Sequence, residues 1–250
     1  ALGLVLVFRT NSSYARLVEA RVLLGNLVRC VRDLARLAQY IPDAAASARR
    51  EVVGYAATIG YACEAHVRKG RTRANEDDPT AFRVDASGDL ARILGESKAA
   101  EYSQASNQPM CMAAAASKAL KRALEAGMPG MMHSECEAAV TELHKIIGGC
   151  ERIQSTPIPM SYTRHTSRSL MLWLLTLPFA LWPAMELATI PAVFLITYLM
   201  LGIDEIGIQI EEPFAILPVK PLAEVCERDV RELDKQLNLG AFVDQRAVGV

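Results

Sequence analysis

Between Ser169 and Gly202 the sequence carries a single charged residue, Glu186. No other stretch limits the fold as strongly. A run this apolar either crosses a bilayer or fills the core of a large domain. Pro178, Pro183 and Pro191 divide it. Ser169–Trp182 and Leu187–Leu201 are each shorter than the roughly 20 helical residues that an ideal span needs. Two readings follow: a hairpin of two short membrane spans, or two buried core helices. The flanks favour the membrane. Arg164, His165 and Arg168 precede the run, as a positively charged flank does, and Trp173, Trp182 and Tyr198 sit near segment ends, where interfacial aromatics concentrate. Glu186 then belongs at the turn, at the far interface, with both ends of the hairpin on one side.

The rest of the chain reads as helix. Leu23, Leu24, Leu27, Val28, Val31, Leu34 and Leu37 recur at helical spacing, with Arg29, Arg32 and Arg36 largely off that stripe as a solvated face. Ile41-Pro42 ends this helix, because the residue before proline is pushed out of the helical region. Residues 47–157 form a more polar helical zone, with helices expected at Ser47–Val67, Ser87–Tyr102, Pro109–Ala126 and Ser134–Ile153. Ser134 followed by Glu137 fits a capping box. Residues 68–80, RKGRTRANEDDPT, read as an exposed loop, and GMPGMMH at 127–133 as a loop with a soft apolar tip. No sustained two-residue alternation predicts a sheet. The fold class expected is all-α: a helical bundle with a transmembrane hairpin and a large extramembrane helical region. The boundaries expected are 1–8, the end of an apolar helix that starts before Ala1; 9–157, extramembrane helices; 158–203, the hairpin; and 204–250, C-terminal helices and tail.

Composition excludes some functions. A net charge of −1 over 250 residues does not suit a nucleic-acid surface, which needs a basic excess. Six scattered cysteines with no CxxC pair read as reduced, small apolar residues. His133, Cys136, His144 and Cys150 match no usual zinc spacing, so no metal is expected there. No Walker sequence, GxGxxG or nucleophile elbow occurs. Glu205, Gln209 and Glu212 share a helical face. They read as a polar helix end whose acids pair with Arg16, Arg164 or Arg168 rather than as a general acid and base. Leu4 and Phe8 stand at i, i+4 near the start. From spacing alone they are either a core-facing stripe or an apolar constriction that gates by dewetting.

Three stretches then match one family. The sequence 8-FRTNSSYARLVEARVLLGNLV-28 is similar to its F-R-x-N-x-x-Y-x-R-W-x-E-A-R-x-x-W-G pattern, with Leu17 and Leu24 where tryptophan is common. The stretch 151-ERIQSTPIPMSYTRHTSR-168, followed by L-P-F and by Trp182-Pro183, is the second. The third is 205-EIGIQIEEPFAILP-218. Together they cover about half of the chain, and the chain resembles the bestrophin family of anion channels, most of all its plant and algal thylakoid branch.

The resemblance implies a homopentamer with one axial pore in a thylakoid membrane of the chloroplast, crossing it several times and passing chloride or bicarbonate without covalent chemistry. Leu4 and Phe8 match two positions of an apolar neck, and Ile158, before Pro159, matches the aperture. Pro157 and Pro159 hold Ile158 in a stiff, extended backbone. Arg9 and Asn11, just past Phe8, are candidates to polarise the pore wall or to serve as structural caps. No cofactor is expected. The acidic cluster that clasps calcium in animal members has no counterpart in 215-AILPVKPL-222, and hard cations need several oxygen ligands. The partners implied are other copies of the chain, membrane lipid and the permeating anions. The rival reading is a non-conducting membrane scaffold that recruits a soluble protein through its helical zone.

Overall fold

The computed structural model of the chain describes residues 2–69 and 86–242, apart from the side chains of Leu2, Leu4, Val5, Lys69 and Met160. Most of the loop expected at 68–80 lies outside these residues. The described elements are helices: α1 (Leu2–Leu37), α2 (Ala46–Lys69), α3 (Ser87–Leu94), α4 (Glu96–Ser103), α5 (Gln108–Glu125), α6 (Gly130–Ser155), α7 (Met160–Met185), α8 (Thr189–Gln209), α9 (Pro213–Ile216) and α10 (Val219–Leu237). No strand occurs among the described residues. The chain divides into two units: one of residues 1–21 and 153–217, the other of 22–152 and 218–250.

The larger unit is built around α2. Val52 to Ala65 of that helix are buried without a break, as befits a helix that neighbours cover all round. Its small residues set how close those neighbours come. A Cβ at Gly60 would stand 2.9 Å from the Cα of Ala223 on α10, and one at Gly54 would stand 2.9 Å from Leu94 Cδ2 on α3. The stripe from Leu24 to Leu37 on α1 is buried in the same unit, and Arg29, Arg32 and Arg36 are exposed. Arg32 pairs with Asp229 of α10 at 2.5 Å. The helix stops where Ile41 turns extended ahead of Pro42.

Several boundaries differ from expectation for local reasons. Ser134 lies inside α6, which starts at Gly130, because the carbonyl of Pro129 accepts the amide of His133 and closes the first turn ahead of the capping-box pattern. Ser87–Tyr102 is two helices, broken at Gly95, whose φ of +87 suits a residue without a side chain. Asn107 caps α5 by accepting the amide of Met110, with Pro109 in the first turn.

In the smaller unit α7 runs unbroken through Pro178 and Pro183. At 1.5 Å per residue its 26 residues reach about 39 Å and the 21 residues of α8 about 31 Å. These lengths include charged ends, Arg164 to Arg168 on α7 and Asp204 and Glu205 on α8, so the helices outlast the roughly 30 Å of a bilayer core while their uncharged stretches stay slightly short of it. Glu186 sits at the turn with φ +44, followed by a 3-10 turn at Glu186–Ala188. Leu170 and Leu174 of α7 pack with Leu6 of α1, against Ile196 and Met200 of α8. These pairings define an antiparallel hairpin. Trp173 and Tyr198 lie well inside their helices, and Trp182 near an end. The outer faces are apolar and bare: Phe179 is 81% exposed and Phe194 73%. A soluble core helix would be covered. The hairpin is membrane-embedded.

Candidate functional site

The smaller unit gathers α1, the hairpin and the Pro157–Pro159 link. Polar residues on the inner faces of these elements converge on Arg9. Its side chain is 1% exposed and donates from Nη1 to Asp204 Oδ1 of α8 at 2.5 Å. Ser167 of α7 joins both partners, at 3.3 Å from the Arg9 nitrogen and 3.1 Å from Asp204 Oδ2. Gly207 lies beside this cluster: a Cβ there would stand 3.6 Å from Thr10 Oγ1 and 3.9 Å from Arg9 Nε, ordinary contact distances. Nε and Nη2 of Arg9 have no hydrogen-bond partner among the described residues, nor does Ser13 Oγ one turn on. The ion pair joins residues 195 apart in sequence. It lies at the level where charge returns after the apolar run. The rise from Arg168 to Glu186 is about 27 Å, close to one hydrocarbon thickness.

Arg16, two turns past Arg9, donates from Nη2 to the carbonyl of Ile153 at 2.6 Å and from Nη1 to the carbonyl of Thr156. A guanidinium thus takes up carbonyls that the end of α6 leaves open. It also fixes the chain immediately before Pro157. Pro159 then caps α7 with φ −55 and ψ +123, and Ile158 is half-buried between two exposed prolines. The stiff Pro-Ile-Pro step is tied down at both ends.

The acidic end of α8 is arranged otherwise than its spacing suggests. Glu205 accepts a hydrogen bond from Gln209 at 3.0 Å. Glu212 lies beyond the helix, which ends at Gln209. Asp204 takes Arg9 rather than Arg16, Arg164 or Arg168. Burial pushes the Glu211 carboxyl above the ordinary carboxylate range, against the opposing pull of Arg9 and Arg16.

The other positions singled out in the sequence fall as follows. Phe8 is 58% exposed. It shares the bare face of α1 with Asn11, Ala15 and Val18, all exposed, away from the face that carries Leu6 and Arg9. Leu4 lies one turn before Phe8 on α1, and its side chain is outside those described. Arg9 and Asn11 therefore part company: one is locked inward, the other faces out. The structure does not bring His133, Cys136, His144 and Cys150 together: Cys136 and Cys150 are buried, with burial pushing each thiol up to about 12, while His133 stands 3.9 Å from Glu137. Two residues that matter to the site's architecture are Asp204 and Arg16. Their partners are a backbone end and a distant arginine, which no local spacing encodes.

Comparison with known proteins adds to this geometry. The family profile described as "Bacterial/Fungal Bestrophin protein" matches residues 1–232. Two Arabidopsis thaliana proteins, named voltage-dependent chloride channel 1 and 2, chloroplastic, are 31% and 32% identical over 94% and 99% of this chain. The chain spans 54% and 57% of their lengths. A voltage-dependent anion channel-forming protein of Synechocystis is 27% identical over 93% of the chain and 74% of its own length. The crystal structure of a bacterial bestrophin homolog from Klebsiella pneumoniae, carrying an L177T mutation, superposes with a TM-score of 0.83 at 28% identity. The match covers 93% of this chain and 84% of that one.

Proposed function

The chain belongs to the bestrophin family, and on that premise we propose that the protein of which it is part is an anion channel. Five copies surround an axial pore that passes chloride or bicarbonate down its electrochemical gradient. One observation carries the reading. Phe8 stands bare on α1, at the level of the membrane unit, while the adjoining face of the same helix is locked to the hairpin through Arg9 and Asp204. A helix fixed on one side and presenting an aromatic on the other suits a pore wall. Leu4 and Phe8 form the neck, where rings of apolar side chains control wetting. Ile158, held between two prolines, forms the aperture. Asn11 offers an amide N–H to a passing anion just beyond Phe8. Arg9 acts by positioning, since its charge is spent on Asp204. The compartment is the thylakoid membrane of a chloroplast, supported by the chloroplastic names of the two Arabidopsis relatives. No covalent chemistry and no calcium clasp are part of the mechanism, the stretch 215-AILPVKPL-222 supplying no carboxylate.

The test is current through the purified full-length protein in a planar bilayer under a potassium chloride gradient. A reversal potential near the chloride value is expected, and Phe8→Ala and Ile158→Ala are expected to change conductance or rectification. Exchanging bicarbonate for chloride ranks the two ions. Silence in wild type and in both variants would replace the channel with a non-conducting scaffold.

A further inference from the structure

The cations of the smaller unit fall into two groups. Arg9 and Arg16 are engaged, one by a carboxylate and one by helix-end carbonyls. Arg164, His165 and Arg168, on the first turns of α7, are all exposed, and none has an ion-pair or hydrogen-bond partner among the described residues. Their place on the helix is informative. Arg168, Leu172, Leu175 and Phe179 follow at i, i+4, i+7 and i+11, which is one helical face. Arg164 and His165 flank that face one turn earlier. The same face becomes increasingly bare of protein: Leu172 is 66% exposed, Leu175 69% and Phe179 81%. The opposite face holds Ser167, Leu170 and Leu174, turned toward the ion pair and the hairpin interior. One face of α7 thus begins as a cluster of unpaired cationic and imidazole side chains and continues as an uninterrupted apolar stripe.

The lengths agree with one kind of occupant. From Arg168 to Phe179 the rise is about 16 Å, and the hydrocarbon of one leaflet is about 15 Å deep, half of the bilayer core. A small inorganic anion would use the cations and leave the stripe idle. An uncharged lipid would use the stripe and leave the cations unpaired. An amphiphile with a negative headgroup and an acyl chain uses both. We propose that this face of α7 binds an anionic lipid, its phosphate or sulfate headgroup held by Arg164 and Arg168 with His165 donating alongside, and one acyl chain laid along Leu172, Leu175 and Phe179. The site rests on the hairpin being membrane-embedded and not on ion conduction. A bound lipid there anchors the start of α7 within two turns of Ile158, so headgroup binding bears on the stiffness of the link just before the helix.

The experiment is native mass spectrometry of the full-length protein in detergent, titrated with dioleoylphosphatidylglycerol or dioleoylphosphatidylcholine. Two basic residues at a membrane surface favour the anionic lipid by about thirtyfold, and that preference is expected in wild type. It should collapse in the Arg164→Gln/Arg168→Gln double variant and persist in Arg164→Lys/Arg168→Lys, which keeps the charge. Millimolar inorganic phosphate should not displace the lipid. Equal binding of the two lipids to wild type, or an undiminished preference in the glutamine variant, overturns the proposal, as does displacement by phosphate alone. Should the glutamine variant fail to fold, photoreactive phosphatidylglycerol on the unmutated protein decides the matter by peptide mapping. Label on residues 164–179 supports the site. Label confined to other segments, as a neighbouring copy covering this face would give, overturns it. Because the readout is lipid binding, a protein that binds lipid but carries no current leaves this inference standing and sinks only the channel.

Discussion

Two helices of this chain are apolar along most of their length, and they meet opposite surroundings. Helix α2 is enclosed: Val52 to Ala65 are buried in sequence, Gly60 admits the α10 backbone at Ala223, and Gly54 admits the Leu94 side chain of α3. Helix α7 is the more apolar of the two, yet its large side chains stand bare, Phe179 and Leu175 above all. Size and branching distinguish them. In α2 the buried apolar residues are mostly small or β-branched, with Tyr55 and Tyr61 the large exceptions, and small residues allow close packing in water, where covering apolar surface is favourable. In α7 they are Leu, Met, Phe and Trp, which present area to a solvent that is itself apolar and exerts no such pressure. Hydrophobicity alone would bury α7 before α2; side-chain volume and the surrounding solvent account for the reverse.

The same contrast governs buried charge. In the larger unit Glu227 of α10 is met on every side. Arg92 reaches both its oxygens at 2.6 and 2.7 Å, Tyr61 donates at 2.8 Å and Arg231 at 2.8 Å. In the smaller unit Arg9 has one carboxylate and one hydroxyl, with two nitrogens unpaired. An almost inaccessible guanidinium so sparsely met depends heavily on its one counter-charge. Asp204→Asn should therefore have the largest effect, about 3–5 kcal/mol of destabilisation, the cost of leaving one member of a buried pair alone. Removing both charges, as Arg9→Met with Asp204→Leu, should return stability to within about 1 kcal/mol of wild type or above it. Thermal unfolding of these three proteins in one detergent measures both effects. If Asp204→Asn melts with wild type, the ion pair is not what holds α1 to the hairpin.

Glu227 sharpens the comparison through pH. Burial pushes its carboxyl up, but the hydrogen bonds from Arg92, Tyr61 and Arg231, with the Arg92 charge, outweigh it and hold the carboxyl at about 2. A carboxylate depressed from 4.5 binds protons less readily folded than unfolded. Its contribution is complete above the unfolded value and disappears as pH falls through the folded one. The larger unit should lose on the order of 3 kcal/mol between pH 5 and pH 2 from this group. Glu227→Gln should flatten that part of the profile and lower stability at neutral pH. Circular dichroism melts across this range decide it: a wild-type slope that the glutamine variant retains assigns the loss to other carboxylates.

How much of this was readable in advance depended on distance along the chain. The stop at Ile41-Pro42, the cap before α5 and the buried stripe of α1 are local, and the residues that cause them lie within one or two turns. Proline misled where environment decides. Pro178 and Pro183 were read as dividing the apolar run, yet α7 continues through both, as membrane helices can when neighbouring groups satisfy the freed carbonyls. Ser134 misled because a capping pattern competes with any earlier start, and Pro129-Gly130 supplied one. The link from Arg9 to Asp204 could not be read from spacing at all. An arginine followed by a tract of acids 195 residues later is consistent with many pairings. The family resemblance implies a neck and an aperture, and does not say which polar residue is turned inward.

The smallest expected effects come from adding one methyl group to each unit. At Gly60 a Cβ would press on the Ala223 backbone at 2.9 Å. Backbone cannot swing aside as a side-chain tip does, so α2 and α10 would have to separate. Gly60→Ala should cost about 1–3 kcal/mol, despite the better helix propensity of alanine. At Gly207 the nearest atoms would stand at 3.6 to 4.0 Å, ordinary contact distance. There the propensity gain of up to about 1 kcal/mol is unopposed, and Gly207→Ala should be neutral or mildly stabilising. Paired melts of the two variants measure how tightly each unit is packed around these glycines. A Gly207→Ala variant that melts below Gly60→Ala would mean that the polar cluster around Arg9 uses the space beside Gly207, and that the membrane unit is the more exactingly packed of the two.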